Sequence, residues 1–286
     1  MPEDRAMPRA LPYLLLLPAT LFLGVFFLYP FLNVAWDSIT RGGEMTLANY
    51  QRMASHWKFS TAFWNTLFLA ALVVPIQLAM ALTMASIVTR LEKGRSSILY
   101  IFAIPLGISD LAAGLIWLAI FEQSGFLNSM LYGLGVIERP ILFLSYQNPV
   151  VILIAIVLAE VWRATAIMMV ILVAGMGLIP KEYGEAAEVF GASRWQRFIR
   201  VTLPMLKPSL QTALILRVIL AFEVFAVVMA LGGTQFPVLM SETYNWQFVM
   251  QDRGVAAAYA MVILGISIAF TLVILRLLHV PKEARI

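Results

Sequence analysis

Apolar residues arrive in long blocks along this chain, and the blocks have the length that crosses a bilayer. A helix needs about 20 predominantly apolar residues to pass through about 30 Å of hydrocarbon, because only a helix satisfies its own backbone there. Six stretches qualify, over residues 11–36, 61–88, 98–121, 149–178, 209–231 and 255–279. Polar punctuation lies between them. The sequence therefore predicts an all-α polytopic membrane protein built as one transmembrane domain over 1–286. Its first apolar run is too long for a secretory leader and is followed by no small-residue cleavage signal, so it reads as a retained anchor.

The distribution of lysine and arginine orients these spans. Arg5, Arg9, Arg90, Lys93, Arg95, Lys181, Arg194, Arg197, Arg200, Lys207, Arg276, Lys282 and Arg285 fall on one side, against Arg41, Arg52, Lys58, Arg139 and Arg253 on the other. The richer side reads as cytoplasmic, with both termini on it. Between the third and fourth spans, Phe126–Leu134 has the makings of a short interfacial helix that Gly135 and Pro140 end. Composition agrees: 61% of residues are hydrophobic and 13% charged, with mean hydropathy +0.87, whereas soluble domains carry about 25% charged residues. The net charge of +4 belongs to the cytoplasmic loops rather than to nucleic-acid binding. Cysteine is absent, which excludes disulfides and thiolate metal sites. His56 and His279 stand far apart with no ligand spacing, so no metal site is expected.

One segment, 179–207, breaks the apolar rhythm. Pro180 suits a helix start, Glu182 favours its positive end, and Tyr183, Ala187 and Phe190 share a face while Glu182, Glu185 and Glu188 occupy others. Gly191 supplies a left-handed stop, and Ser193 with Gln196 reads as a capping box opening a second helix. In that helix Trp195, Phe198, Ile199 and Thr202 share a face, and Arg194, Arg197 and Arg200 gather away from it. The unit is helix, tight turn, helix. Its first half is acidic with small residues, its second basic with aromatics, which suits anionic lipid at the membrane surface. On this local pattern a docking surface for a partner and a plain solvated surface helix are equally open.

The string "EAAEVFGASRWQRFIRVTLP" closely resembles the cytoplasmic loop of permease subunits of binding-protein-dependent ABC importers. Glu185-Ala186-Ala187, Gly191 and Leu203-Pro204 match that loop in identity and spacing. "LYP" at 28–30, "LANY" at 47–50, "NTL" at 65–67, "EVWRAT" at 160–165, "LVAGMGLIPKEY" at 172–183 and "AYA" at 258–260 resemble the carbohydrate-uptake subgroup, of the maltose and glycerol-3-phosphate type. The likeness covers nearly the whole chain. Two places depart from it: Phe190 stands where relatives often have aspartate, and "LGGTQFPV" at 231–238 is only loosely similar to the usual stretch.

The resemblance implies a prokaryotic inner-membrane subunit. It would pair with a second six-span permease chain, two cytoplasmic ATPase subunits that bind ATP and Mg, and an extracytoplasmic substrate-binding protein, and move a sugar or polyol. The segment 179–207 would be the coupling helix between spans four and five. Glu182, Glu185, Ala186, Ala187, Gly191 and Arg194 would serve the contact with the ATPase. No Gly-Lys dipeptide occurs, so this chain has no phosphate-binding loop of its own. It is expected to be a transport subunit without a cofactor or ATPase activity.

Charges inside the spans complete the reading. Glu160 and Arg163 in span four, three apart, can pair directly; Arg217 and Glu223 in span five point apart and need partners on other helices. Each costs about 2.5–3.5 kcal/mol at the bilayer centre unless paired or wet, so pairing between helices and a polar translocation path both remain open, with the two-plus-two tally pointing to internal neutralisation. Candidate path residues are Asn65, Gln77, Asp110, Trp117, Glu160, Trp162, Arg163, Glu223 and Tyr244, which combine polar groups with aromatic faces. An ion-gradient-driven transporter of a small polar solute is the alternative, and it leaves 179–207 unexplained. A membrane-embedded enzyme would need a catalytic cluster that the sequence does not contain, and a membrane scaffold would couple nothing to ATP.

Overall fold

The computed structural model describes residues 11–91 and 93–279. Arg5, Arg9, Lys282 and Arg285, which entered the orientation count, lie outside them. The described chain is helical apart from one two-residue ribbon. In chain order, α1 (Leu11–Leu23) and α2 (Tyr29–Ile39) join through a π-helical turn at Gly24–Leu28. A short hairpin of β1 (Thr40–Arg41) and β2 (Glu44–Met45) leads to α3 (Ala48–Ser55). The helices α4 (Phe59–Val88), α5 (Arg95–Ala103), α6 (Asp110–Phe121), α7 (Phe126–Gly133) and α8 (Pro149–Gly177) follow. Then come α9 (Lys181–Val189), α10 (Arg194–Arg197), α11 (Leu203–Met205), α12 (Lys207–Phe222), α13 (Ala226–Leu231), α14 (Leu239–Tyr244) and α15 (Arg253–Leu277).

Two of the expected spans are not single helices. The stretch expected over 98–121 ends as α5, passes through a 3-10 turn at Ile104–Gly107, and restarts at Asp110. Pro105 has no amide hydrogen to continue the ladder, and Ser109 caps the new helix by accepting from the Ala112 amide at 3.2 Å. The stretch expected over 209–231 stops at Phe222 and resumes at Ala226, with Phe225 in neither helical nor extended geometry (φ −135°, ψ −62°). No proline or glycine marks this break. Five described helices are long and apolar enough to cross a membrane, with α12 and the helical run before it forming a bent pair.

The chain divides into two compact units, residues 1–56 with 243–261, and 57–242 with 262–286. In the first, Asn49 is buried at the hairpin corner. Its side-chain amide donates to the carbonyls of Asp37, Ser38 and Thr40, and its oxygen accepts from Arg41 at 2.9 Å. Arg41 and Arg52 each bond Asp252 at 3.0 Å, and Arg52 lies over the Trp246 ring.

In the second unit, one apolar core gathers α4, α6, α8 and α13 through Val73, Ala113, Ile156, Val227 and Val228. Another gathers α4, α8 and α12 through Ala85, Met168, Leu172, Leu206 and Ala213. Small residues set the closest approaches. A Cβ on Gly114 would lie 2.8 Å from the Ala230 Cβ and 3.2 Å from the Val227 Cα, so α6 and α13 touch along their backbones.

Candidate functional site

Four helices of the second unit carry a continuous seam of ionic and hydrogen-bonding groups. On α8, Glu160 and Arg217 of α12 are both wholly shielded from solvent. Arg217 Nη2 donates to Glu160 Oε2 at 3.0 Å. From α4, Gln77 accepts from Arg217 Nε through its side-chain oxygen and donates to the Glu160 carbonyl at 2.7 Å. One turn along α8, Arg163 Nη2 sits 3.5 Å from the same Glu160 oxygen, while its Nη1 meets Asp110 Oδ1 at 2.7 Å on the first turn of α6. The order along the seam is Gln77, Arg217, Glu160, Arg163, Asp110. Two cations meet two carboxylates, so the seam is neutral, as buried charge demands. It is incompletely satisfied all the same: Glu160 Oε1, Arg163 Nε and Arg217 Nη1 are buried without a protein partner.

The second acid is not the one the sequence tally suggested. Glu223 follows the last residue of α12, is exposed, and makes no ion pair among the described residues. Asp110 neutralises the seam in its place, because Ser109 caps α6 at the level where Arg163 emerges. Arg217 was singled out in the sequence for its charge and left without a partner; its partners lie 57 and 140 residues away.

Beside the seam stands an aromatic corner. Trp117, seven residues and so two turns beyond Asp110 on the same face of α6, meets Trp162 of α8 edge-on at 6.1 Å and stacks on Phe121 at 5.6 Å. Of the candidate path residues, the structure thus assembles Gln77, Asp110, Trp117, Glu160, Trp162 and Arg163. Gln77 and Glu160 are sealed, while Asp110 and Trp162 keep an open face. Asn65 lies elsewhere in the same unit, its amide donating to the Pro237 carbonyl at 2.9 Å. Tyr244 belongs to the other unit and packs on Phe248 at 4.8 Å.

The polar segment after α8 forms an elbow. Pro180 precedes α9 in extended geometry, one place before the first-turn position expected of it. Gly191 takes φ +78°. Its amide donates to the Glu188 carbonyl at 2.8 Å and the Ala192 amide to the Ala187 carbonyl at 2.9 Å, the paired bonds that close a helix on a left-handed residue. Ser193 and Gln196 then exchange both bonds of a capping box. Arg197 bonds Glu188 across the turn. The second arm continues as a π turn and α11, then meets α12 at 72° with Leu206 buried at the corner. Glu182, Glu185, Ala186, Gly191 and Arg194 are exposed and Ala187 is half-buried. The most exposed apolar groups are at the tip, where Val189 is 86% and Phe190 90% exposed.

Long apolar helices, with a seam of paired charges between four of them, define a multi-pass membrane protein. The chain belongs to the family described as "Binding-protein-dependent transport system inner membrane component", whose model matches residues 77–283. It is 32% identical over 281 residues to the trehalose/maltose transport system permease protein MalF of Thermococcus litoralis, covering 93% of this chain and 92% of that one. It is also 32% identical over 267 residues to the alpha-glucoside transport system permease protein AglF of Rhizobium meliloti, covering 88% and 78%. Among solved structures, it superposes with a TM-score of 0.81 on a chain of a bacterial ABC transporter that imports the acidic polysaccharide alginate, at 22% identity and over 95% and 96% of the two chains. That last likeness concerns the fold.

Proposed function

We propose that this permease subunit passes a sugar or related polyol between its own helices and those of a second six-span chain, and that the elbow after α8 couples the passage to two cytoplasmic ATPase subunits. An extracytoplasmic binding protein delivers the solute in this reading, and ATP and Mg stay with the ATPase subunits. Both chain termini and the elbow lie on the cytoplasmic side of a prokaryotic inner membrane.

The observation that carries the proposal is the elbow itself. Two short helices are locked by a left-handed glycine, a capping box and an ion pair, the second arm meets α12 at 72°, and the tip presents apolar side chains that the described residues leave exposed. Such a body transmits displacement rather than absorbing it. Glu182, Glu185 and Arg194 offer charge to the neighbour, and Ala186 and Ala187 permit close approach. The sugar assignment rests on the names of the relatives and on the exposed carboxylate of Asp110, two turns along α6 from the Trp117–Trp162 corner. A carboxylate that accepts hydroxyl donors beside apolar ring faces suits a pyranose.

The test is ATP hydrolysis and solute uptake by the purified complex in proteoliposomes, with its binding protein and a panel of sugars. Stimulation of hydrolysis by loaded binding protein and uptake that stops on ATP depletion are the expected results. Uptake that survives ATP depletion and collapses with an uncoupler would assign the chain to the ion-driven class instead.

A further inference from the structure

Among the charges within the spans, Asp110 and Glu223 reach the surface more fully than either arginine. The Arg217 side chain is 0% exposed and that of Arg163 17%, whereas the Asp110 side chain is 49% exposed and Glu223 is open as well. A neutral seam therefore shows a negative face.

Both open carboxylates sit at interruptions of a span: Asp110 where α6 restarts, Glu223 where α12 stops. The two places lie at the same end of one helix pair. Gly114 approaches the Ala226 carbonyl and Val227, and further along, Leu118 and Glu122 face Met229 and Gly232 across a cavity of about 340 Å³. α6 and α13 hence run parallel, with Asp110 and Glu223 just before their contact begins. Non-helical backbone at membrane depth survives where it is covered by protein or lines a watery cavity, and an exposed carboxylate there excludes lipid as the neighbour.

Independently, Glu160 Oε1 is sealed within the protein and unpartnered. A buried carboxylate oxygen calls for a hydrogen-bond donor. Glu160 lies behind the surface, so the seam meets a solute through Asp110 and the edge of Arg163 rather than through its buried carboxylate.

Building on the solute path of the preceding reading, we propose that Asp110, with Glu223 across the α6–α13 contact, is a specificity residue that admits neutral polyhydroxylated solutes to this stretch of the path and turns back anionic ones. An anionic solute would need a free cation. Both arginines are already committed to Glu160 and Asp110, and releasing Arg163 would strip a buried carboxylate of its partner.

The chain has no cysteine, so a single introduced thiol reports local potential. A Cβ at Gly107 meets nothing within 4 Å and its φ is not left-handed, so Gly107→Cys is tolerated three residues from Asp110; Ser109→Cys is the second position. The assembled complex in proteoliposomes is treated with two small methanethiosulfonate reagents of similar size, one carrying trimethylammonium and one sulfonate. The mass of this chain gives each rate, and the cation-to-anion rate ratio is divided by that of a free small thiol.

The expected result is a normalised ratio of about fivefold or more, falling to about one or below when Asp110→Asn and Glu223→Gln are added. A ratio near one at the start, a ratio the two substitutions leave unchanged, or no reaction at either position overturns the proposal. Failure of the sugar-importer reading is a separate event, visible as absent ATP-dependent uptake with the labelling ratio intact.

Discussion

Arg217 shows what a single residue can hold in this fold. Its guanidinium binds one helix through Gln77 and another through Glu160, so three helices meet directly on one side chain. Removing one partner of a buried pair leaves the other charged and unsolvated, at a cost of roughly 3–5 kcal/mol, whereas removing both is far milder. Arg217→Met is therefore expected to lower the yield and melting temperature of the detergent-purified complex sharply. Arg217→Met combined with Glu160→Gln should recover most of the loss; a double variant no better than the single one would show that the pair is not the keystone. Charge inside a span was visible in the sequence, and its partners were not. Glu160 and Arg163 are three apart on a helix, so that contact follows from spacing. Gln77, Arg217 and Asp110 arrive from other helices, and no local pattern records which of them will meet.

Among the elements, those governed by local chemistry were legible and those governed by packing were not. Gly191, Ser193 and Gln196 act on backbone within four residues, so the elbow's turn and cap follow from the string alone. The short helix α7 is likewise bounded by nearby signals. The break between α5 and α6 had a local cause in Pro105, hidden by an apolar run long enough for one span. The break between α12 and α13 has no local cause at all: it follows from α13 lying backbone to backbone on α6 at Gly114, a contact only the folded chain displays. That contact yields a prediction at its own scale. Gly114→Ala forces a methyl to within 2.8 Å of Ala230 and against the Val227 backbone, and overpacking of this kind costs about 1–3 kcal/mol. Lower thermal stability is expected, with partial rescue by Ala230→Gly, measured by the melting of the complex. Equal stability of Gly114→Ala and the parent would mean that the two helices separate without cost.

For the whole molecule, the elbow matters because its outermost surface is the wrong kind for water. Ala186 and Ala187 drew attention in the sequence as a low face, but the tip is Val189 and Phe190, both almost fully exposed in this chain. An aromatic side chain left in water at the end of a rigid, capped hairpin has its stabilisation still to gain, and burial against a neighbour supplies about 2 kcal/mol. With Val189 beside it, Phe190 gives the tip an apolar face rather than a charged one. Phe190→Ser is accordingly expected to weaken association with the ATPase subunits by roughly thirtyfold, seen as loss of those subunits on dilution during purification. Helix content and binding of solute to the external protein should stay unchanged, because the side chain is 90% exposed and contributes little to packing among the described residues. Higher ATPase-subunit concentration should restore stimulated hydrolysis, since the substitution removes affinity and leaves the stiff arms intact. If full occupancy by the ATPase returned no coupling, the tip would be part of the moving machinery rather than its anchor; if dilution had no effect on the variant, the tip would not be the docking face.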